Sequence, residues 1–117
     1  RFKNLVLEKK YAIAYAMSDK YPFFKQTPYY EKMEEAWQQT FADAQRQMLL
    51  KQYDLAKSIL SEYITTTSKR SLVKFVLSYN KEFLEFLKAV KNRDFKTIQK
   101  IIKLNSIFKE VPSYIAL

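Results

Sequence analysis

Carboxylates are the first side chains in this sequence whose types and spacing could do chemistry. Glu31, Glu34 and Glu35 lie close together, and clustered carboxylates can exchange protons or hold a divalent cation. Glu82 and Glu85 stand three residues apart. Helical di-metal sites use that step, but with a histidine at one end, and the chain contains no histidine. Among nucleophiles there are Ser58, Ser61, Ser68 and Ser71. Ser71 with Lys74 is a pairing that would supply a base. Cysteine and glycine are also absent from the 117 residues. Thiolate chemistry, imidazole bases and glycine-built phosphate loops are therefore excluded. The glutamates near residue 31 fall where a helix start favours negative charge. The expectation is a non-catalytic chain with no bound metal and no cofactor.

Aromatic and basic side chains remain as carriers of function. There are nine Tyr, nine Phe and one Trp. Most recur on the apolar helical faces described below, which assigns them to packing. Tyr15, Tyr21, Tyr29 and Tyr63 could instead line an exposed groove, where aromatic rings anchor an extended peptide. The net charge is +9, and it is uneven. Residues 1–27 carry +4, residues 28–48 carry −2, residues 49–67 carry 0 and residues 68–117 carry +7. Lys96, Lys100 and Lys103 step by four and three, so they share one helix face and could meet phosphates or an acidic protein. Arginine, the better reader of bases, occurs only at positions 1, 46, 70 and 93. No nucleic-acid-binding motif accompanies it. A protein or peptide partner is the first expectation, and nucleic acid or another acidic surface is the second. No apolar run approaches the roughly 20 residues of a membrane-spanning helix.

These side chains need elements to position them, and the periodicity supplies helices. Tyr30, Met33, Trp37, Phe41, Ala44 and Met48 keep one face apolar and predict a long helix over 28–50. Thr27 is its expected N-cap and Pro28 its first residue. A short helix is predicted over 54–65, with Asp54 as its cap and Leu55, Ile59, Leu60 and Tyr63 as its apolar residues. Leu72, Val76, Tyr79, Phe83, Leu87 and Val90 predict a second long helix over 70–91, closed by Asn92 in the left-handed conformation. A second short helix follows over 95–105, and Val111-Pro112 opens another long one. Residues 1–8 resemble the end of a long helix, and 10–20 form a short one closed by Tyr21-Pro22. Trp37, Phe41, Tyr79 and Phe83 are all expected to be buried.

The elements recur at an interval of 42 residues. Tyr11, Tyr53 and Phe95 correspond, as do Ala14, Ala56 and Ile98, and Met17, Ile59 and Ile101. Phe24 and Pro28 correspond to Phe108 and Pro112 two intervals on. Trp37 matches Tyr79, Phe41 matches Phe83, and Met48 matches Val90. The expected fold is all-α, an α-solenoid of stacked antiparallel helix pairs with a period of about 42 residues. Its units would be 1–27 (partial), 28–69, 70–111 and 112–117 (truncated). The first residue, Arg1, and the apolar end Tyr114 to Leu117 fit a segment cut from a longer protein.

Two inner turns carry a resemblance. Lys10-Tyr11-Ala12-Ile13-Ala14 and Gln52-Tyr53-Asp54-Leu55-Ala56 resemble the turn of tetratricopeptide repeats, with a bulky aromatic followed three residues later by a small alanine. Arg93-Asp94-Phe95-Lys96-Thr97-Ile98 keeps the aromatic and loses the alanine. Those repeats are about 34 residues long and place glycine in the turn, so this chain departs from them in period and in composition. The resemblance implies a scaffold that binds proteins or peptides.

Overall fold

A computed structural model describes all 117 residues, Arg1 to Leu117. It contains eight α-helices, three 3-10 segments and no strand. The helices are α1 (Phe2–Leu7), α2 (Tyr11–Lys20), α3 (Pro28–Leu49), α4 (Tyr53–Leu60), α5 (Thr67–Ser78), α6 (Asn80–Lys91), α7 (Phe95–Leu104) and α8 (Pro112–Ile115). The 3-10 segments are Pro22–Gln26, Ser61–Tyr63 and Ser106–Glu110. The radius of gyration is 14.8 Å, above the roughly 13 Å of a globular domain of this length. The molecule is drawn out to 43 × 28 × 19 Å.

The longest helix starts as its sequence dictates. The Thr27 hydroxyl accepts from the Tyr30 N–H at 3.2 Å and donates to the Phe24 carbonyl at 2.7 Å. One threonine thus ties the preceding 3-10 segment to the first turn of α3. Pro28 occupies the first helical position and Glu31 the first turn. Met33, Trp37, Phe41, Ala44 and Met48 are buried along one face. The helix packs mainly on α4 and α1, with smaller contacts to α6 and α8.

Three turns share one backbone conformation. α1, α3 and α6 are each followed by a residue with positive φ: Lys9 at 59°, Lys51 at 61° and Arg93 at 52°. Their N–H groups donate to Val6, Met48 and Val90, and the next N–H in each turn donates to Leu5, Gln47 and Ala89. This pair of bonds satisfies helix-end carbonyls that would otherwise be left open. Asn92, expected in the left-handed position, is right-handed at φ −83°. The conformation falls one residue later, on Arg93. Asp94 then caps α7, its carboxylate accepting from the Thr97 N–H at 3.2 Å and hydroxyl at 2.7 Å.

Two predicted helices differ from the structure. The long helix over 70–91 is two helices, α5 and α6, joined at Tyr79 with φ −116° and ψ 52°. Ser78 and Asn80 flank the break, residue types whose side chains compete with helical bonding. The break turns Tyr79 outward, 53% exposed, whereas Trp37, Phe41 and Phe83 are at most 3% exposed as expected. The helix predicted over 54–65 begins one residue earlier, at Tyr53, and tightens into a 3-10 turn after Leu60. Asp54 therefore lies inside its first turn, and Leu55 faces solvent.

A single cluster of 25 buried apolar residues runs through the molecule. Edge-on ring contacts link its middle: Trp37 with Tyr63 at 4.8 Å and Phe41 with Phe83 at 5.7 Å. Phe86 stacks on Phe108 at 4.6 Å, which carries the core toward the C-terminal end. Ala14 and Ala56 are wholly buried in the first turns of α2 and α4, where a small side chain permits close approach of neighbouring backbones.

Candidate partner-binding surfaces

The most densely connected polar group lies between α2, α3 and α5. Tyr15 donates its hydroxyl to Glu34 Oε1 at 2.6 Å. Lys69 Nζ meets the same oxygen at 3.0 Å and lies 5.0 Å from the Tyr15 ring centroid and 5.2 Å from that of Trp37. Helical spacing makes this possible: Glu34 and Trp37 are one turn apart on α3, and Lys69 lies in the first turn of α5. Burial first, then the bond to Glu34, pushes the Tyr15 phenol far above its usual range. Burial does the same to Tyr63. The Glu34 carboxylate is thus held by a buried phenol and an ammonium, an arrangement suited to clamping α5 onto α3. A cleft of about 230 Å³ opens beside it, lined in part by Lys109, Glu110 and Pro112.

The structure separates the other candidate chemical groups. Glu31 and Glu35 point outward while Glu34 turns inward, so the three do not converge. No group of three or more acidic, histidine or cysteine side chains comes together to hold a metal. Glu82 and Glu85 are both exposed on α6. Ser71 and Lys74 are both exposed on α5, and the Ser61 hydroxyl is turned onto the Ser58 carbonyl at 2.7 Å.

The four tyrosines singled out for a groove part company. Tyr15 and Tyr63 are each 1% exposed and belong to the core, a correction to their reading as groove residues. Their rings pack on partners distant in sequence, Tyr15 on Tyr30 and Tyr63 on Trp37. Tyr29 is half-buried with Lys3 over its ring at 5.5 Å. Tyr21 is exposed and begins an aromatic patch with Phe23 and Phe24, whose rings are 4.4 Å apart. Phe24 stacks in turn on Phe2 at 4.7 Å, so the patch is anchored to the core while Phe23 stands 62% exposed.

Lys96, Lys100 and Lys103 are all exposed on α7, opposite buried Ile98 and Ile102. They stand exposed without an ion-pair partner.

Sequence reasoning missed one surface. A groove of about 520 Å³ lies where the ends of α3 and α6 meet α8. Leu49, Leu84, Leu87 and Val90 wall it, and Lys88 and Lys91 stand at its rim. The only sequence signal was Leu49-Leu50 at the end of α3, two leucines outside the apolar stripe. No protein-family model matches the chain, and neither curated proteins nor solved structures give a significant match.

Proposed function

We propose that this chain is a non-catalytic protein–protein interaction module, an α-solenoid whose helix pairs repeat every 42 residues. The observation that carries this reading is the recurrence of one turn. Lys9, Lys51 and Arg93 share the left-handed conformation and the same two backbone bonds at intervals of 42 residues. Other features support it. Ala14, Ala56 and Ile98, five residues beyond each turn, are all fully buried. The segments Pro22–Gln26 and Ser106–Glu110 are both 3-10 and lie two intervals apart. An elongated stack of units, each packing on its neighbours, offers long surfaces for another chain. The resemblance to tetratricopeptide repeats leads to the same class of function. The clamped state of Glu34 also speaks for a structural rather than a catalytic carboxylate.

A second reading has its own observation. The exposed, unpaired lysines of α7 suit a polyanion, which makes nucleic acid the alternative partner. One experiment separates the two. The chain is cross-linked in native lysate with and without nuclease, alongside Tyr21→Ser/Phe23→Ser and Lys96→Glu/Lys100→Glu/Lys103→Glu variants. Proteins retained after nuclease and lost with the Tyr21/Phe23 variant support the interaction module. Nucleic acid lost with the lysine variant, with no nuclease-resistant protein, overturns it.

A further inference from the structure

The groove between α3, α6 and α8 combines an apolar wall with a rim of one charge. Leu49, Leu84, Leu87 and Val90 form the wall, and no carboxylate lies among its lining residues. Lys88 and Lys91 sit in the last turn of α6. There they complement the helix dipole, but neither has an acidic partner anywhere in the fold. At the α8 side, the Ser113 hydroxyl is shielded from water and has no hydrogen-bond partner. The volume, about 520 Å³, falls in the range of about 300 to 1,000 Å³ that receives ligand groups.

We infer that this groove binds an acidic amphipathic segment of a partner protein. The segment's apolar side chains enter between Leu49 and Leu84. Flanking Asp or Glu residues meet Lys88 and Lys91. A basic amphipathic segment offers the same apolar contact and is rejected by the two ammonium groups, so the rim sets the choice of partner. This inference rests on the interaction-module reading and names the chemistry of the partner.

The test uses a fluorescein-labelled helical peptide with leucines one turn apart and glutamates on either side. Two controls carry lysine for glutamate or serine for leucine. Binding is followed by anisotropy and by amide shifts of the isotope-labelled chain. The glutamate peptide moves the resonances of Leu84 to Lys91 and Ser113, and each control binds at least about tenfold more weakly. Lys88→Glu/Lys91→Glu, at exposed positions, reverses the preference so that the lysine peptide binds better. Leu49→Glu, also exposed, weakens both. Absence of binding, or shifts confined to α7 or to Tyr21–Phe23, overturns the inference. So does self-association in sedimentation that disappears with Lys88→Glu/Lys91→Glu, because the occupant is then a second copy. Nuclease-resistant capture that depends on Tyr21 and Phe23 is a separate readout, so the interaction-module reading can stand when this inference fails.

Discussion

Replacing the three left-handed residues with glycine should stabilise the chain. Lys9, Lys51 and Arg93 hold φ near 59°, 61° and 52°, where a β-carbon costs about 1–2 kcal/mol. Glycine removes that strain but adds about 0.4–1 kcal/mol of unfolded-state entropy. It also deletes a cation beside a helix C-terminus, worth about 0.3 kcal/mol on an exposed surface. Alanine deletes the same cation and keeps the β-carbon, so it is the proper reference. Each glycine variant should exceed its alanine counterpart by about 0.5–1 kcal/mol. The three turns belong to different helix pairs, so the effects should add to about 1.5–3 kcal/mol. Urea unfolding followed by circular dichroism reads this directly, and Tm should rise about 4 °C per kcal/mol. Asn92→Gly supplies the opposite sign. Asn92 is right-handed at the end of α6, so glycine there should lose about 0.5 kcal/mol. If Asn92→Gly stabilises while Arg93→Gly does not, the turn lies one residue earlier and its correspondence with Lys9 and Lys51 fails. Glycine no better than alanine at all three sites would refute the strain argument itself.

Other perturbations have equally definite outcomes. Ala14→Leu and Ala56→Leu push three extra carbons into wholly buried positions and should each cost about 1–3 kcal/mol in urea unfolding. Tyr15→Phe keeps the ring under Lys69 but removes the bond to Glu34; a loss of about 1–3 kcal/mol is expected, and a smaller loss would mean that water replaces the phenol. Alkaline pH tests the same core. The Tyr15 and Tyr63 phenols are raised above the ordinary 10.0, so the unfolded chain releases those protons first. Stability should be complete below pH 10 and fall above it, by at most about 2.7 kcal/mol per pH unit for the pair. Tyrosinate absorbance should show the two ionising only as the chain unfolds.

α3 was legible in the sequence because it is buried along one face and carries its own cap, proline and acidic first turn. α6 was not. Its apolar steps run unbroken through Tyr79, and the break has neither proline nor glycine to announce it. Once broken, α6 packs against α3, α7 and α8, so Phe86 and Ala89 are buried although they lie off the predicted stripe. The same asymmetry holds for the surfaces. The α7 lysines were legible because they oppose Ile98 and Ile102 on a single helix. Tyr15 and Tyr63 were misplaced because what buries them comes from elsewhere in the chain: Glu34 lies 19 residues from Tyr15. The groove was invisible for the same reason, since Leu49, Leu84 and Ser113 come together only when three helices pack.

Folding uses little of the charge in this chain. Four ion pairs involve four of its 21 basic side chains. Three of those pairs are exposed, a setting in which such pairs contribute about 0–1 kcal/mol. Only Lys69–Glu34 is shielded, by the rings it lies over. Arg46 is paired with Asp43, and the Arg70 Nε donates to the Ile64 carbonyl at 2.8 Å. The free cations are therefore mostly lysines, compact point charges rather than the forked donors that read bases or grip phosphates in pairs. Their field reaches a partner only within the screening length of about 8 Å at physiological salt. Such a field would attract and orient the proposed acidic segment without holding it. Retention in the proposed complex would then come from apolar contact, for which the groove walled by Leu49 and Leu84 lies beside two of the free lysines. The two contributions separate kinetically. Salt and the lysine reversals should act on the association rate, whereas Leu49→Glu should act on dissociation. A peptide whose dissociation rate rises with salt as steeply as its association rate falls would be held by charge alone, and the groove would have no part in its binding.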